Sequence, residues 1–308
     1  MNARVSHTLA RPLWTLLAAA GLAIVAAPTV AATLDTSAIG KAAGVPAKRP
    51  DDGVVKIGWS RADVPVTVDG MPLAPTAGLG SWAAFTPMGN RAMVMGDTVV
   101  FQDEVDAAMD AAFAHDLKVT ALHNHFFFDQ PKVYFMHIAG EGQPQALAAD
   151  VKAVWDAIKA VRAARAEPAD GFGGATPTAG KLNADALAKI VGHKAESNGG
   201  VAKITVGRMG HMHGQSVGAS MGLTSWAAFS GSDALAAMDG DFIMTAAEVQ
   251  PVLRALRHAG VHVVALHNHM TDDQPNFYFT HFWGKGKATA LAHGFRAALD
   301  AQAAVAAH

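Results

Sequence analysis

The sequence predicts an α+β protein: a tandem duplication of a β-β-β-β-α-β-β-α unit, mainly antiparallel in its sheets, with the two copies set in pseudo-two-fold fashion. Three observations carry this. His123, Asn124, His125 and His137 recur as His267, Asn268, His269 and His281, at a constant offset of 144 (267 − 123). The same offset joins the two "SWAAF" runs at 81–85 and 225–229, and Tyr134-Phe135 to Tyr278-Phe279. Aligned without gaps, 81–147 and 225–291 share roughly two positions in five, which marks an internal repeat. Upstream, "KIGWSR" (56–61) answers "KITVGR" (203–208) at an offset of 147, so three residues were gained or lost between Arg61 and Gly70. Short repeats with exposed sheet edges gain by pairing, which favours one fused body over two separate domains.

The elements of one repeat follow in order. "VVKIGWS" (54–60) and "VPVTVDG" (64–70) are β-rich runs that end in turn residues. "GSWAAFTP" and "RAMVMGDTVV" supply two more strands. "FQDEVDAAMDAAFAHD" (101–116) is Ala-rich, and Val105, Met109, Ala112 and Phe113 fall on one helical face. "LKVTALHNHF" and "KVYFMHI" are strands joined through Asp129-Gln130-Pro131. "ALAADVKAVWDAIKAVR" (146–162) closes the unit as a second helix. The Gly-, Pro- and Ala-rich "AEPADGFGGATPTAG" (166–180) reads as a linker. The predicted organisation is a signal peptide at 1–32, repeat one at 33–165, the linker at 166–180 and repeat two at 181–308. The leader reading rests on Arg4 and Arg11, the apolar "LWTLLAAAGLAIVAA" (13–27) and the small residues "VAA" (30–32). That apolar run is too short for a comfortable membrane span.

Composition limits the chemistry. The 308 residues carry a net charge of −2, which argues against a nucleic-acid or anionic-membrane surface as the main partner. Cysteine is absent, which excludes disulfides, thiolate nucleophiles and cysteine ligands. With 15 histidines and 13 methionines, a borderline metal would be held by imidazole, thioether or carboxylate.

The histidines are the sharpest signal. Side chains alternate along a strand, so Val119, Ala121, His123 and His125 are expected on one face and Asn124 on the other. The chain turns at Pro131, and an antiparallel return can set His137 opposite the pair. Three neutral imidazoles with an open fourth position is the ligand set of catalytic zinc. His267, His269 and His281 have the same geometry available. "FFF" at 126–128 became "MTD" in the second copy while all three histidines stayed. A set of structural histidines, hydrogen-bonded across the hairpin, is the competing reading.

Carboxylates kept at the same offset are Asp97/Asp241, Glu104/Glu248 and Asp129/Asp273. Each has a plain role: Asp97 follows a Gly and suits a turn, and Glu104 opens a helix, where the macrodipole favours it. Glu104 and Glu248 are the preferred candidates for general base or metal partner. Gly140, Gly142, Gly284 and Gly286 are expected in the turn after the ligand strand, and Trp82 and Trp226 in the core. The segment 207–222 adds His211, His213, Met209, Met212 and Met221, a composition that suits copper or a flexible loop. "HNH" alone is not a nuclease signature, and no phosphate-loop or dinucleotide fingerprint is present.

The stretch "GDFIMTAAEVQPVLRALRHAGVHVVALHNHMTDDQPNFYFTHFWGKG" (240–286) resembles the LppY/LpqO family of exported bacterial proteins that carry a domain of unknown function. Repeat one matches the looser first-half form, and the likeness spans about 35–305. The resemblance implies export but brings no activity. Family members are often lipoproteins, and this chain lacks the anchoring cysteine. Acetolactate decarboxylases and a zinc-dependent ester hydrolase also use H-x-H with a later histidine, a likeness of site alone.

The expectation is an exported, periplasmic or secreted protein with a divalent metal, zinc or else copper, at a three-histidine site in each repeat. It would act as a metal-dependent hydrolase or lyase on a small-molecule or envelope-derived substrate. The alternative is a non-catalytic zinc- or copper-binding or envelope-associated protein. No membrane span is expected after processing.

Overall fold

The structure is a computed structural model that describes residues 33–306. The predicted signal peptide lies outside the described residues. Repeat one runs α1 (Thr36–Ala43), β1 (Ala47–Lys48), β2 (Val55–Ser60), β3 (Thr67–Val68), β4 (Met71–Pro72), β5 (Gly80–Met88), β6 (Arg91–Phe101), α2 (Val105–Ala114), β7 (Lys118–His123), β8 (Asp129–Gln130), β9 (Val133–Gly142) and α3 (Pro144–Ala164). Repeat two follows the same order: α4 (Ala184–Val191), β10 (Ala195–Asn198), β11 (Val201–Gly207), β12 (Gly210–Met212), β13 (Gln215–Val217), β14 (Thr224–Gly231), β15 (Ala236–Thr245), α5 (Ala246–His258), β16 (His262–His267), β17 (Asp273–Gln274), β18 (Phe277–Gly286) and α6 (Ala288–Ala306). Residues 166–180 contain neither helix nor strand. The unit is longer than expected. An opening helix and the short β1 precede it, β4 and β8 are added within it, and the strand expected over 64–70 shrinks to Thr67–Val68, because strands of two or three residues leave no readable alternation.

One sheet of 12 strands spans both repeats, in the order β1-β2-β5-β6-β9-β7-β16-β18-β15-β14-β11-β10. Replacing each strand by its counterpart in the other repeat gives the same order read from the other edge. Every strand pairing among the described residues is antiparallel. The repeats meet where β7 pairs with β16 through Leu122 and Leu266, two residues separated by the repeat offset. The seam is reinforced on the helical side, where the Gln250 side chain bonds both the N–H and the C=O of Val119. Arg257 of α5 bridges to Asp106 and Asp110 of α2.

The helices cover one face of the sheet. The predicted α2 stripe is correct: Val105, Met109, Ala112 and Phe113 are all buried. Val105, Met109 and Phe113 each contribute about 1.5–3 kcal/mol of burial, and Ala112 less. They join Val119, Leu122, Met136 and Ile138 of the sheet and Leu147, Val151 and Trp155 of α3 in the main core. The other face is helix-free near the histidines. Two three-stranded sheets, β4-β3-β8 and β13-β12-β17, stand on it. Each covers a small core of its own: Val99, Phe101, Val133 and Phe135 in repeat one, and Ile243, Phe277 and Phe279 in repeat two.

Several expectations change here. The register of β7 against β9 shifts between Val119 and Ala121. The extra residue at this bulge flips the alternation, so Val119 faces the helical core while Ala121 and His123 keep the open face. Gly140, Gly142, Gly284 and Gly286 all lie within β9 and β18 rather than in turns. A Cβ on Gly140 would come within 2.8 Å of Leu117, so the glycine lets a side chain cross the strand. Trp82 and Trp226 are half-buried rather than core. The ammonium groups of Lys56 and Lys203 sit over their rings at 4.6 and 4.1 Å. Among the described residues, no helix is long and apolar enough to cross a membrane.

Candidate metal centres

β7 ends at His123, and His125 lies in the loop beyond it. The loop is held by Asn124, whose Nδ2 donates to the carbonyl of Phe126 at 2.9 Å; Asn268 does the same to Met270 at 2.8 Å. His125 is placed by stacking on Phe135, with ring centres 3.4 Å apart and planes within 6°. His269 stacks on Phe279 at 3.5 Å and 10°. Phe135 and Phe279, retained at the repeat offset, thus position a histidine each. The return strand is antiparallel as expected, but His137 does not fall opposite the His123/His125 pair: it pairs with Ala121, two residues before His123, while His123 pairs with Phe135, and His281 likewise pairs with Ala265. The turn before it is pinned by Asp129 and Asp273, which accept the backbone N–H of Val133 (2.7 Å) and Phe277 (2.6 Å).

The histidine rings gather in both repeats, but only in repeat two do ligand atoms of all three, among the described residues, come within metal-holding reach of one another; in repeat one His123 lies between His125 and His137. His123 Nε2 and His137 Nε2 are 3.1 Å apart, and the His123 and His125 rings stack at 5.2 Å. In repeat two, ligand atoms of His267, His269 and His281 all lie within 4.8 Å of one another.

An aspartate stands beside each cluster, Asp97 in repeat one and Asp241 in repeat two. Asp97 is not in a turn. It sits within β6, directly paired with His137, as Asp241 of β15 is with His281. Asp97 Oδ1 is 3.8 Å from His137 Nε2. Asp241 Oδ2 is 3.6 Å from His269 Nε2, and its Oδ1 is 3.8 Å from His281 Nδ1. These separations are too long for hydrogen bonds. They are close to the spacing of about 3.3 Å between ligand atoms on a tetrahedral zinc with bonds of about 2.0–2.1 Å. Both aspartates are buried, and Oδ1 of each has no hydrogen-bond partner; neither does His267 Nε2. A buried carboxylate oxygen left unpaired costs about 1–3 kcal/mol or more, which a cation removes.

Electrostatics agree with that donor set. Burial raises the pKa of Asp241 and outweighs the pull of His281, His269 and His267. His125 is lowered, first by burial and then by its neighbours His123 and His137, against the pull of Asp97. His269 is lowered by burial, with His267 and His281 adding to it and Asp241 opposing. Imidazoles lowered in this way are neutral near pH 7, the form that ligates metal.

The structure does not bring Glu104 or Glu248 to the histidines. Glu104 is fully buried, and Arg61 holds it with bonds of 2.7 and 2.9 Å. Arg162 Nε lies 2.7 Å from it, and the Phe101 N–H donates to it at 2.8 Å. Glu248 caps α5 reciprocally with Thr245 and takes two bonds from Arg208, at 2.5 and 2.9 Å. Arg61 and Arg208 are the matching arginines of "KIGWSR" and "KITVGR". Each glutamate is engaged by its matching arginine, in a fully buried pair in repeat one and a partly exposed one in repeat two, and neither faces the histidines. In the 207–222 segment, β12 and β13 form a short ladder, and His211 Nε2 lies 3.3 Å from Ser216 Oγ.

The family model described as a Domain of Unknown Function (DUF1259) matches residues 37–157 and again 185–301. The chain belongs to this family. It carries two copies of the DUF1259 domain, one on each side of 158–184, and each copy holds one histidine cluster. No curated protein matches the chain. Among solved structures it is similar to the EutL protein of Clostridium perfringens, at 12% identity over 70% of this chain and 80% of that one, with a TM-score of 0.19. It is also similar to a trimeric bacterial microcompartment shell protein, PduB, at 9% identity over 81% and 87%, with a TM-score of 0.19.

Proposed function

We propose that this DUF1259 protein is an exported zinc-binding protein with one three-histidine, one-aspartate site in each repeat, and that it acts as a zinc-dependent hydrolase or lyase. The observation that carries the reading is the unpaired, buried Asp97 and Asp241 oxygens, each beside a cluster of imidazoles in which burial favours the neutral form of one member, His125 or His269. Zinc is the borderline ion that suits imidazole plus carboxylate without thiolate, and copper is the second candidate. Zinc supplies Lewis acidity toward a carbonyl or phosphoryl oxygen and makes water more acidic. In this reading the three histidines ligate, and the aspartate takes the place first given to Glu104 and Glu248: fourth ligand or proton acceptor beside the ion. Phe135 and Phe279 hold His125 and His269 in position. The His281 side chain is 47% exposed, so the cluster is open to a small substrate.

The same exposure favours a second reading, a non-catalytic periplasmic protein that binds zinc or copper, because a site near the surface exchanges its ion readily. Export rests on the leader at 1–32 and on the likeness to the LppY/LpqO family, the finer family assignment we favour. The repeats are read as a pseudo-two-fold pair about the Leu122–Leu266 contact, with boundaries at 33–165, 166–180 and 181–308.

The test is elemental analysis of the purified chain after zinc loading and desalting. Up to two zinc ions per chain are expected. His123→Ala and His267→Ala should each remove one, and the double variant both. Retained zinc in the double variant, or no zinc in the parent at neutral pH, would refute the metal reading. Hydrolysis of a generic aryl ester that falls with zinc removal separates the enzyme from the carrier.

A further inference from the structure

The two repeats differ most where β18 leaves the histidines. His281, Trp283 and Lys285 alternate along β18 and share its open face. At the repeat offset, β9 has His137, Ala139 and Glu141. The histidine is kept, while an aromatic ring and a cation stand in only one copy. A second difference falls on the same spot, because the segment between the repeats crosses repeat two there. Lys285 Nζ donates to the carbonyl of Gly173 at 2.5 Å, and Phe172 stacks on His262 at 3.7 Å and 9°. Gly180 packs so closely that a Cβ on it would lie 2.8 Å from Ser232.

This segment and the sheet line a half-open pocket of about 510 Å³, within the range of small-molecule sites. Trp283 and Phe172 give it aromatic surface, Lys285 gives it charge, and Thr176, Thr178 and Ser230 bring hydroxyl groups. One N–H of the Lys285 ammonium is taken by Gly173, which leaves two donors for a ligand.

We propose that this cavity is the recognition pocket of the repeat-two site, and that it takes a small anionic molecule with a flat apolar ring. The ring lies on Trp283, whose face favours stacking and apolar contact. The anionic group, phosphate or carboxylate, pairs with Lys285 as a charge-assisted bond. Trp283 is about 7 Å along the strand from His281 and Lys285 about 13 Å, so a ligand roughly 10 Å long spans pocket and histidines. The proposal rests on the zinc reading for the role of the pocket, but not for its existence. It also makes the duplication unequal: repeat two recognises, while repeat one keeps the bare cluster.

The experiment is calorimetric titration of the full zinc-loaded chain with phenyl phosphate and with benzyl alcohol, its neutral counterpart. Zinc content is measured on the same samples. Lys285→Met should weaken phenyl phosphate about tenfold, the loss expected for one charge-assisted bond, and leave benzyl alcohol unchanged. Trp283→Ala should weaken both, and Trp283→Phe should restore most of the loss. Glu141→Gln, at the matching site of repeat one, should change neither. Phenyl phosphate that binds equally well to the parent, Lys285→Met and Trp283→Ala overturns the pocket, as does failure of the parent to bind it. A parent without zinc whose phenyl phosphate binding still depends on Trp283 and Lys285 overturns the metal reading alone and upholds the pocket.

Discussion

Replacing Asp241 by Asn separates metal binding from fold, because its two effects have opposite signs. In the metal-free chain Asp241 is buried, its Oδ1 has no hydrogen-bond partner, and its nearest cationic candidates are 3.6 and 3.8 Å away. An unsatisfied buried polar atom costs about 1–3 kcal/mol, and more when charged. Asparagine keeps the shape and removes the charge, so the metal-free variant should be more stable by about 1 kcal/mol, or about 1.5 °C in Tm for a chain of this length. With zinc present the balance reverses. Loss of a carboxylate at the ion costs at least the 10–100-fold in affinity typical of partners outside the ligand set, which is about 1.4–2.7 kcal/mol. Scanning calorimetry with chelator or with zinc, together with zinc titration at pH 7, reads both effects. The expected pattern is a higher Tm in chelator, a smaller zinc-induced rise, and weaker zinc binding. A variant that is less stable in chelator and binds zinc as well as the parent would show that Asp241 is structural and that its unpaired oxygen serves no ion.

Other consequences follow from particular contacts. Arg61→Met leaves Glu104 buried with Arg162 as its remaining guanidinium partner, and should cost about 3 kcal/mol or more by denaturant titration. Glu248 is held below its ordinary 4.5: burial would raise it, but Arg208, the Thr245 N–H and Gln302 outweigh that. A lowered folded pKa contributes stability above pH 4.5 that is lost as pH falls through the folded value, so Glu248→Gln should lower Tm at pH 7 and flatten its decline below pH 4.5. Gly240→Ala would place a Cβ 2.2 Å from Phe282 Cζ and 2.3 Å from the Trp226 carbonyl. The sheet must then shift, at a cost of about 1–3 kcal/mol by urea midpoint; an unchanged midpoint would show that Phe282 moves freely.

The duplication, the antiparallel strands, the helix stripe and the six histidines were legible in the linear order of residues. Each depends on short-range rules: a fixed offset, a period of two or 3.6, and a hairpin whose return strand lands opposite its partner. The bulge at Val119/Ala121 escaped those rules, since one inserted residue reverses alternation without a compositional mark. So did the opening helix and the two-residue ladders. The preferred carboxylates were misplaced for a related reason. Retention at the offset marked Asp97, Glu104 and Asp129 alike, and nothing local ranked them. Glu104 was claimed by Arg61, 43 residues away, while Asp97 met His137 through the β6–β9 register.

By itself, the sequence determined that this chain folds as two copies of one unit and that each copy carries three imidazoles along a hairpin. Tertiary structure decided which acid stands beside them, which side of the sheet they occupy, and how the repeats join at Leu122 and Leu266. It also laid the inter-repeat segment over Trp283 and Lys285 rather than over Ala139 and Glu141. The physical reason is the range of the interactions. Alternation and helical period are set within a few residues, whereas ion pairs, strand register and enclosure depend on contacts that exist only after distant segments have packed.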